Sequence, residues 1–149
     1  MPSEPQPKGT YTLDLKHPAL HLSVLPDALF VHRFPRGHAV PSAFLDAGDA
    51  FVSVTRTKDE VSVVADKAAT EAALGKAEQL GGPWAALKIA GPLEHHMVGV
   101  LSQLSQVLKD AKISIFAIST WDTDYVLVTR DTLAGAKAEL LEAGWVFDA

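Results

Sequence analysis

The 149-residue chain contains no cysteine and only two methionines. The absence of thiols excludes disulfides, thiol nucleophiles and cysteine-ligated zinc, and is compatible with a reducing compartment. No apolar run approaches the roughly 18–20 residues of a membrane span, so no membrane partner is expected. Basic residues are outnumbered, with 13 Lys and Arg against 18 Asp and Glu for a formal net charge of -5. They form no run that could track a phosphate backbone, so no nucleic-acid partner is expected either. Gly-rich phosphate loops, nucleophile elbows and paired-carboxylate motifs are missing. The first residues, Met1-Pro2-Ser3-Glu4-Pro5-Gln6-Pro7, have no apolar core and do not read as a secretory signal. Residues 1–17 are expected as a flexible tail and the protein as cytoplasmic.

Hydrophobic residues make up 48% and charged residues 21%, the balance of a globular protein. Alternation in Leu20–Val24 and the apolar run Leu29–Phe34 read as strands, separated by the turn signal Pro26-Asp27. His38–Gly48 reads as loop with at most one helical turn. Phe51–Thr55 and Val61–Val64 read as a hairpin. Lys67–Leu80 reads as an alanine-rich helix stopped by Gly81-Gly82-Pro83. The second half begins with a strand over Trp84–Ala90. Met97, Val100, Leu101, Leu104, Val107 and Leu108 then form one helical stripe. Strands over Ile113–Ser119 and Asp124–Thr129 flank the turn Trp121-Asp122-Thr123. A helix over Thr132–Ala143 ends at Gly144, and Trp145–Phe147 reads as a last strand. The order βαββαβ points to a ferredoxin-like α+β module, an antiparallel sheet with helices on one face. Val54–Val64 and Ile118–Val128 share a strand ending at Thr, an acidic turn and a β-branched strand, which reads as a weak internal repeat. Two modules are therefore expected, a degenerate one over 18–82 and a second over 83–149.

The runs Phe51–Val64 and Ile113–Val128, with the Gly91-Pro92-Leu93 step and Val98–Leu101, resemble a family of stand-alone tandem ACT-domain proteins. These are related to the regulatory part of aspartate kinases and to the CASTOR arginine sensors. The resemblance implies that ACT modules pair side by side with a small ligand between them. It implies a binding wall made of Glu94, His95, His96, Met97, Val98 and Gly99, of Ser119, Thr120, Asp122 and Asp124, and of Ser62, Val63 and Val64. It implies an amino-acid ligand, no cofactor, a homodimer and a regulated partner protein. The chain departs from its relatives at Glu94-His95-His96-Met97, where they carry an acidic, an aromatic and then small residues.

The residues themselves leave alternatives open. The 92–99 segment joins a strand to a helix N-terminus, whose free N–H groups suit a carboxylate, yet it also reads as an ordinary connection. Asp122 suits a turn, whereas Asp124 opens a strand, where Asp is depleted, and could hold an ammonium group. Ser62, Ser119 and Thr120 could meet a ligand or satisfy local backbone. The adjacent His95 and His96 point in different directions and make no metal motif. A small enzyme using Glu94, His95 and His96 as acid and base is the second reading. Trp84 and Trp145 read as core, and Trp121 as an exposed turn residue that could lid a pocket.

Overall fold

The computed structural model describes residues 12–76 and 81–148. In chain order its elements are β1 Leu22–Val24, β2 Leu29–Pro35, α1 Ser42–Leu45, β3 Val52–Arg56, β4 Glu60–Asp66, α2 Lys67–Leu74, β5 Gly81–Ile89, α3 Val100–Asp110, β6 Phe116–Ser119, β7 Asp124–Thr129 and α4 Leu133–Glu142. The strands form one antiparallel sheet in the order β3-β4-β2-β5-β7-β6, with β1 also on β5. Along one side β5 pairs with β7, from Trp84↔Thr129 to Lys88↔Tyr125. Along the other it takes two partners in succession. Its start lies against β2, at Val31↔Gly81 and Leu29↔Trp84, and its end against β1, at Leu22↔Ile89 to Val24↔Leu87. β1 and β2 are thus one strand line broken at Pro26-Asp27.

This pairing makes two overlapping ferredoxin-like units. In the first, β2, α1, β3, β4 and α2 lead into the start of β5. In the second, the end of β5 is followed by α3, β6, β7 and α4, and β1 occupies the remaining sheet position. The boundary expected between 82 and 83 falls inside β5. Phe147 makes a single parallel bridge to Leu22, so the expected last strand is reduced to one bridge, and its partner is β1. Leu13 and Leu15, within the expected tail, pack against the second unit's core.

Side-chain alternation divides each strand between two faces. On one face Val61, Val63 and Ala65 of β4 pack against Phe44 of α1 and Ala69 of α2. On the same side Ala85, Leu87 and Ile89 of β5 and Val126 and Val128 of β7 meet Leu104 and Leu108 of α3, Ala136 and Leu140 of α4, and Trp145. All four helices therefore cover one side. On the helix-free side Leu29, Val64, Ala86 and Leu127 are buried together. The Phe51 and Tyr125 ring centroids lie 5.0 Å apart and those of Trp84 and Phe116 6.2 Å apart. These contacts bring the two halves of the concave face together, so the sheet is curled upon itself.

Three expected boundaries move. α2 stops at Leu74 because Gly75 adopts φ 87° and its N–H donates to Glu71 O at 2.8 Å. Gly81–Pro83 are already strand, and the expected helical residues 77–80 lie outside the described residues. α3 starts after Gly99, which is its N-cap at φ 80°, so Met97 sits in the preceding turn although it still packs on the core. β6 begins at Phe116, not at Ile113. Lys112 turns into the left-handed region at φ 60°, and the Ile113 N–H closes α3 by donating to Leu108 O at 2.9 Å. His21 is held by Asp148 Oδ1 at 2.9 Å and Lys16 O at 3.1 Å.

Two features set stability. A Cβ on Gly82 would stand 2.8 Å from Leu29 O and 2.9 Å from Phe30 Cδ1. Gly82→Ala is therefore expected to lower unfolding free energy by about 1–3 kcal/mol, read by urea denaturation. His32 is buried, its Nε2 3.1 Å from Thr70 Oγ1 and its Nδ1 without a protein partner. Burial lowers its pKa below the usual 6.5. The unfolded chain then takes up this proton before the folded one does. The contribution is complete above about pH 6.5 and is lost as the pH falls through the lower folded-state value. The thermal midpoint should drop on acidification below about pH 6.5, and drop less steeply in His32→Leu. Equal slopes in the two proteins would exclude His32 as the titrating group.

Candidate functional site

Where the concave face closes, β6 lies over the open face of the β3–β4 hairpin. The two leave a cleft of about 330 Å³. Alternation directs Ser53 and Thr55 of β3, and Glu60, Ser62 and Val64 of β4, into it. The opposite wall is Phe116–Ser119, the whole of β6. Since among the described residues β6 pairs only with β7, its outer edge offers backbone N–H and C=O groups without a ladder partner there. Ser53, Thr55 and Ser62 add hydroxyls that can donate or accept, and Ser119 ends the β6 wall. Glu60 is held at the rim by Arg33, Nε to Oε2 at 3.0 Å. The arrangement can bind a small polar molecule through hydrogen bonds reaching both halves of the chain.

The wall implied by resemblance is distributed over several places. Ser62, Val64 and Ser119 come together in this cleft. Val63 points to the other face and is buried under α1 and α2. Asp124 is half-buried at the start of β7, opposite Ser119 in the ladder. Thr120 donates its hydroxyl to Thr123 O at 3.2 Å. With Asp122 it lines a neighbouring cleft of about 290 Å³ shared with Lys88, Pro92 and Tyr125. Trp121 stands in solvent at 95% exposure.

The 94–99 loop is anchored from behind. Leu93 N–H donates to Asp122 O at 2.7 Å and Gly91 N–H to Ala19 O at 2.8 Å. Gly91 is required here, since at φ 65° its Cβ would lie 3.0 Å from Asp122 O. Beyond the anchor Glu94 and His96 pair at 3.2 Å with both side chains exposed, and His95 is exposed as well. Val98 is 59% exposed, and Gly99 has open space where a side chain would be. Met97 and His96 face a small cleft with Leu13 and His17. The loop therefore does not line the Ser62–Ser119 cleft. Among the described residues no group of three His, Asp or Glu side chains is placed to hold a metal.

A cleft of about 330 Å³ at the other end of the seam was not anticipated. Leu25, Asp27, Leu29, Asp49, Phe51, Asp66, Lys88 and Tyr125 line it. Asp66 is committed to structure. Its Oδ1 accepts from Ala69 N–H at 2.9 Å, capping α2, and its Oδ2 accepts from Phe51 N–H at 3.1 Å. Two signals were present in the sequence. Asp66 directly precedes an alanine-rich helix, the position of an N-cap, and Lys88 is the one charged residue of an otherwise apolar strand.

Residues 79–141 match the model of the ACT domain family. No curated protein matches the sequence. Among solved structures, a protein from Agobacterium tumefaciens is 27% identical with a TM-score of 0.72, over 86% of this chain and 91% of that one. The aspartokinase alpha and beta subunit structure has a TM-score of 0.63 at 16% identity, over 87% of this chain and 96% of that one. A proposed C-terminal regulatory domain of aspartate kinase from Porphyromonas gingivalis has a TM-score of 0.50 at 16% identity, over 83% and 96% of the two chains. At 16% identity these last two show a common fold.

Asp66 joins the cap of α2 to the segment leading into β3, so its loss acts on both sides of the seam. Asp66→Ala is expected to cost about 2–4 kcal/mol in urea denaturation, the sum of a cap and a buried charge-assisted hydrogen bond. A cost near zero would show that neither bond matters to stability.

Proposed function

With an ACT domain over residues 79–141 as the premise, we propose that the chain is a cytoplasmic, non-catalytic regulatory protein. It binds a small ligand, an amino acid, between its two halves. The observation that carries the reading is the cleft in which Ser62 and Val64 of one half face Ser119 and the free edge of β6 from the other. A ligand bonded to both walls fits one separation of the halves better than others. It therefore shifts the population toward that arrangement, by no more than its difference in affinity for the two. A partner protein that contacts both halves would read the change. The proposed homodimer would use what the fold leaves open, the edge strands β3 and β6 and the exposed Leu45, Val98, Trp121 and Leu141. The enzyme reading gains little, because the Glu94–His96 pair is open to water on both members and faces no enclosed site with a nucleophile.

The test is thermal unfolding with each common amino acid at millimolar concentration. A ligand at about 100 times its Kd adds about 2.7 kcal/mol, a rise of several degrees for a chain of this size. The expected result is a selective rise that Ser62→Val and Ser119→Val each abolish while unfolding cooperatively without ligand. No rise with any amino acid, or a rise unchanged in both variants, would overturn the placement of a ligand in this cleft. Sedimentation of the same samples at tens of micromolar should show a dimer, and a strict monomer would remove the proposed self-association.

A further inference from the structure

The second seam cleft carries chemistry that the Ser62–Ser119 cleft lacks. Lys88 sits on the concave face, half-buried, between its ladder neighbours Ser23 of β1 and Tyr125 of β7. It is the one charged residue of β5. Neither the Lys88 ammonium nor the Tyr125 hydroxyl is engaged by another side chain among the described residues. Both are shared walls of two adjoining clefts, of about 330 and 290 Å³. A half-buried lysine with no acidic partner leaves its ammonium available to an anion that enters the cleft. The nearby buried acid, Asp66, is already bonded to two backbone N–H groups and is not free to serve. The remaining acids, Asp27 and Asp49 of this cleft and Asp122 of the adjoining one, are exposed at the rims. Below Asp27 and Asp49 lie Leu29 and Phe51.

We infer that this cleft is a second ligand site, separate from the Ser62–Ser119 cleft, that takes a small carboxylate with an apolar body. Lys88 and Tyr125 hold the carboxylate through one charge-assisted and one neutral hydrogen bond. Leu29 and Phe51 cover the apolar body. Asp27 and Asp49 set a negative rim that disfavours a second carboxylate and favours a ligand bearing an ammonium group. The broken strand line makes the space: at Pro26-Asp27 the chain leaves β5 between β1 and β2, and the register shifts on resuming. Because the two clefts share no lining residue, this site stands or falls independently of the first.

The test is an NMR titration of the intact protein that follows backbone amides. One arm uses isocaproate, a branched apolar carboxylate without an amine, and the other leucine, which adds the ammonium group. Saturable shifts centred on Ser23, Lys88 and Tyr125 are expected. Binding should weaken at least about tenfold in Lys88→Met, the loss of one charge-assisted bond. Tyr125→Phe keeps the ring against Phe51 and removes only the hydroxyl, so it tests the same site if Lys88→Met does not fold. Tighter binding of leucine, lost in the Asp27→Asn, Asp49→Asn double variant, would assign the ligand as an amino acid. Equal or tighter binding of isocaproate would assign it as a simple carboxylate. Both orders support the site. Shifts centred on Ser62 and Ser119, no saturable shift with either compound, or unchanged affinity in Lys88→Met and Tyr125→Phe would overturn it.

Discussion

The fold depends on β5 being paired on both sides along its middle while belonging to two units. Nine residues span about 30 Å at the rise of a strand, long enough to close one ferredoxin-like unit and open the next. It pairs with β7 over Trp84–Lys88 along one side, and with β2 and then β1 along the other. Neither unit is complete without it: the first would lose a strand of its sheet and the second its centre. The halves are therefore joined by a shared hydrogen-bond ladder, and cooperative loss of structure across the seam follows from that shared strand. The composition of β5 fits the position. Gly81 and Gly82 bring its start against the carbonyls of Val31 and Leu29, where a side chain would collide. Ala85 and Ala86 give it a slender middle on both faces, so helices approach on one side and the opposite half of the sheet on the other.

Curling follows from what the concave face carries. Leu29, Val64, Ala86 and Leu127, with Phe51, Trp84, Phe116, Ile118 and Tyr125 around them, form an apolar surface that no helix among the described residues covers. A fully buried side chain of this kind is worth about 1.5–3 kcal/mol relative to exposure. The face therefore closes on itself rather than remaining in water. Closure is incomplete at both ends, where the lining changes character: Ser53, Thr55 and Ser62 point inward at one, and Lys88 meets Asp27 and Asp49 of the neighbouring loops at the other. Apolar packing fixes the middle of the seam, and polar groups at its ends are left to solvent or ligand. A ligand at either end spans elements of both halves, which is the geometry that allows binding to alter their spacing. Coupling free energies of this type are typically 1–3 kcal/mol, comparable with the burial of one of these side chains.

The parts of the fold visible in the sequence are those set by local periodicity. The stripe Val100, Leu104, Leu108 is the buried face of α3, and the β3–β4 and β6–β7 hairpins stand where their alternation and turns place them. Gly144, at φ 100°, follows α4 as a glycine beyond a helix should. What local pattern could not show is pairing. Gly81-Gly82-Pro83 has the form of a helix stop, and only the approach of β2 explains why glycine is needed there. Ile113 and Ile115 look like strand, yet they pack, partly buried, on the core from the irregular chain that has just closed α3. The same limit applies to the site. Ser62, Val64 and Ser119 share a cleft, but Val63 must face away from Ser62 because a strand alternates. Lys88 and Asp27 meet one cleft only because β1 and β2 lie along β5, a relation with no mark in either segment alone.

The 94–99 loop shows why position on a familiar motif does not by itself make a site. It precedes α3, so free N–H groups and the positive end of the helix dipole are available there. At an exposed helix end that electrostatic contribution is about 0.3–1 kcal/mol and is screened by salt. Here the surroundings are exposed: Glu94, His95 and His96 are open to water, and Val98 and Trp121 present 59% and 95% of their surfaces. A small molecule held only by this loop would retain most of its hydration and gain little. The seam clefts differ because opposing walls remove a ligand from water while replacing its hydrogen bonds, which is what makes polar contacts selective. The loop would gain the same advantage only when another surface covers it. Val98 and Trp121, both exposed, are apolar groups such a surface could bury. On the proposed reading, a ligand held within one chain would sit in the seam, and a role for the 94–99 loop in binding would need a second molecule to complete it.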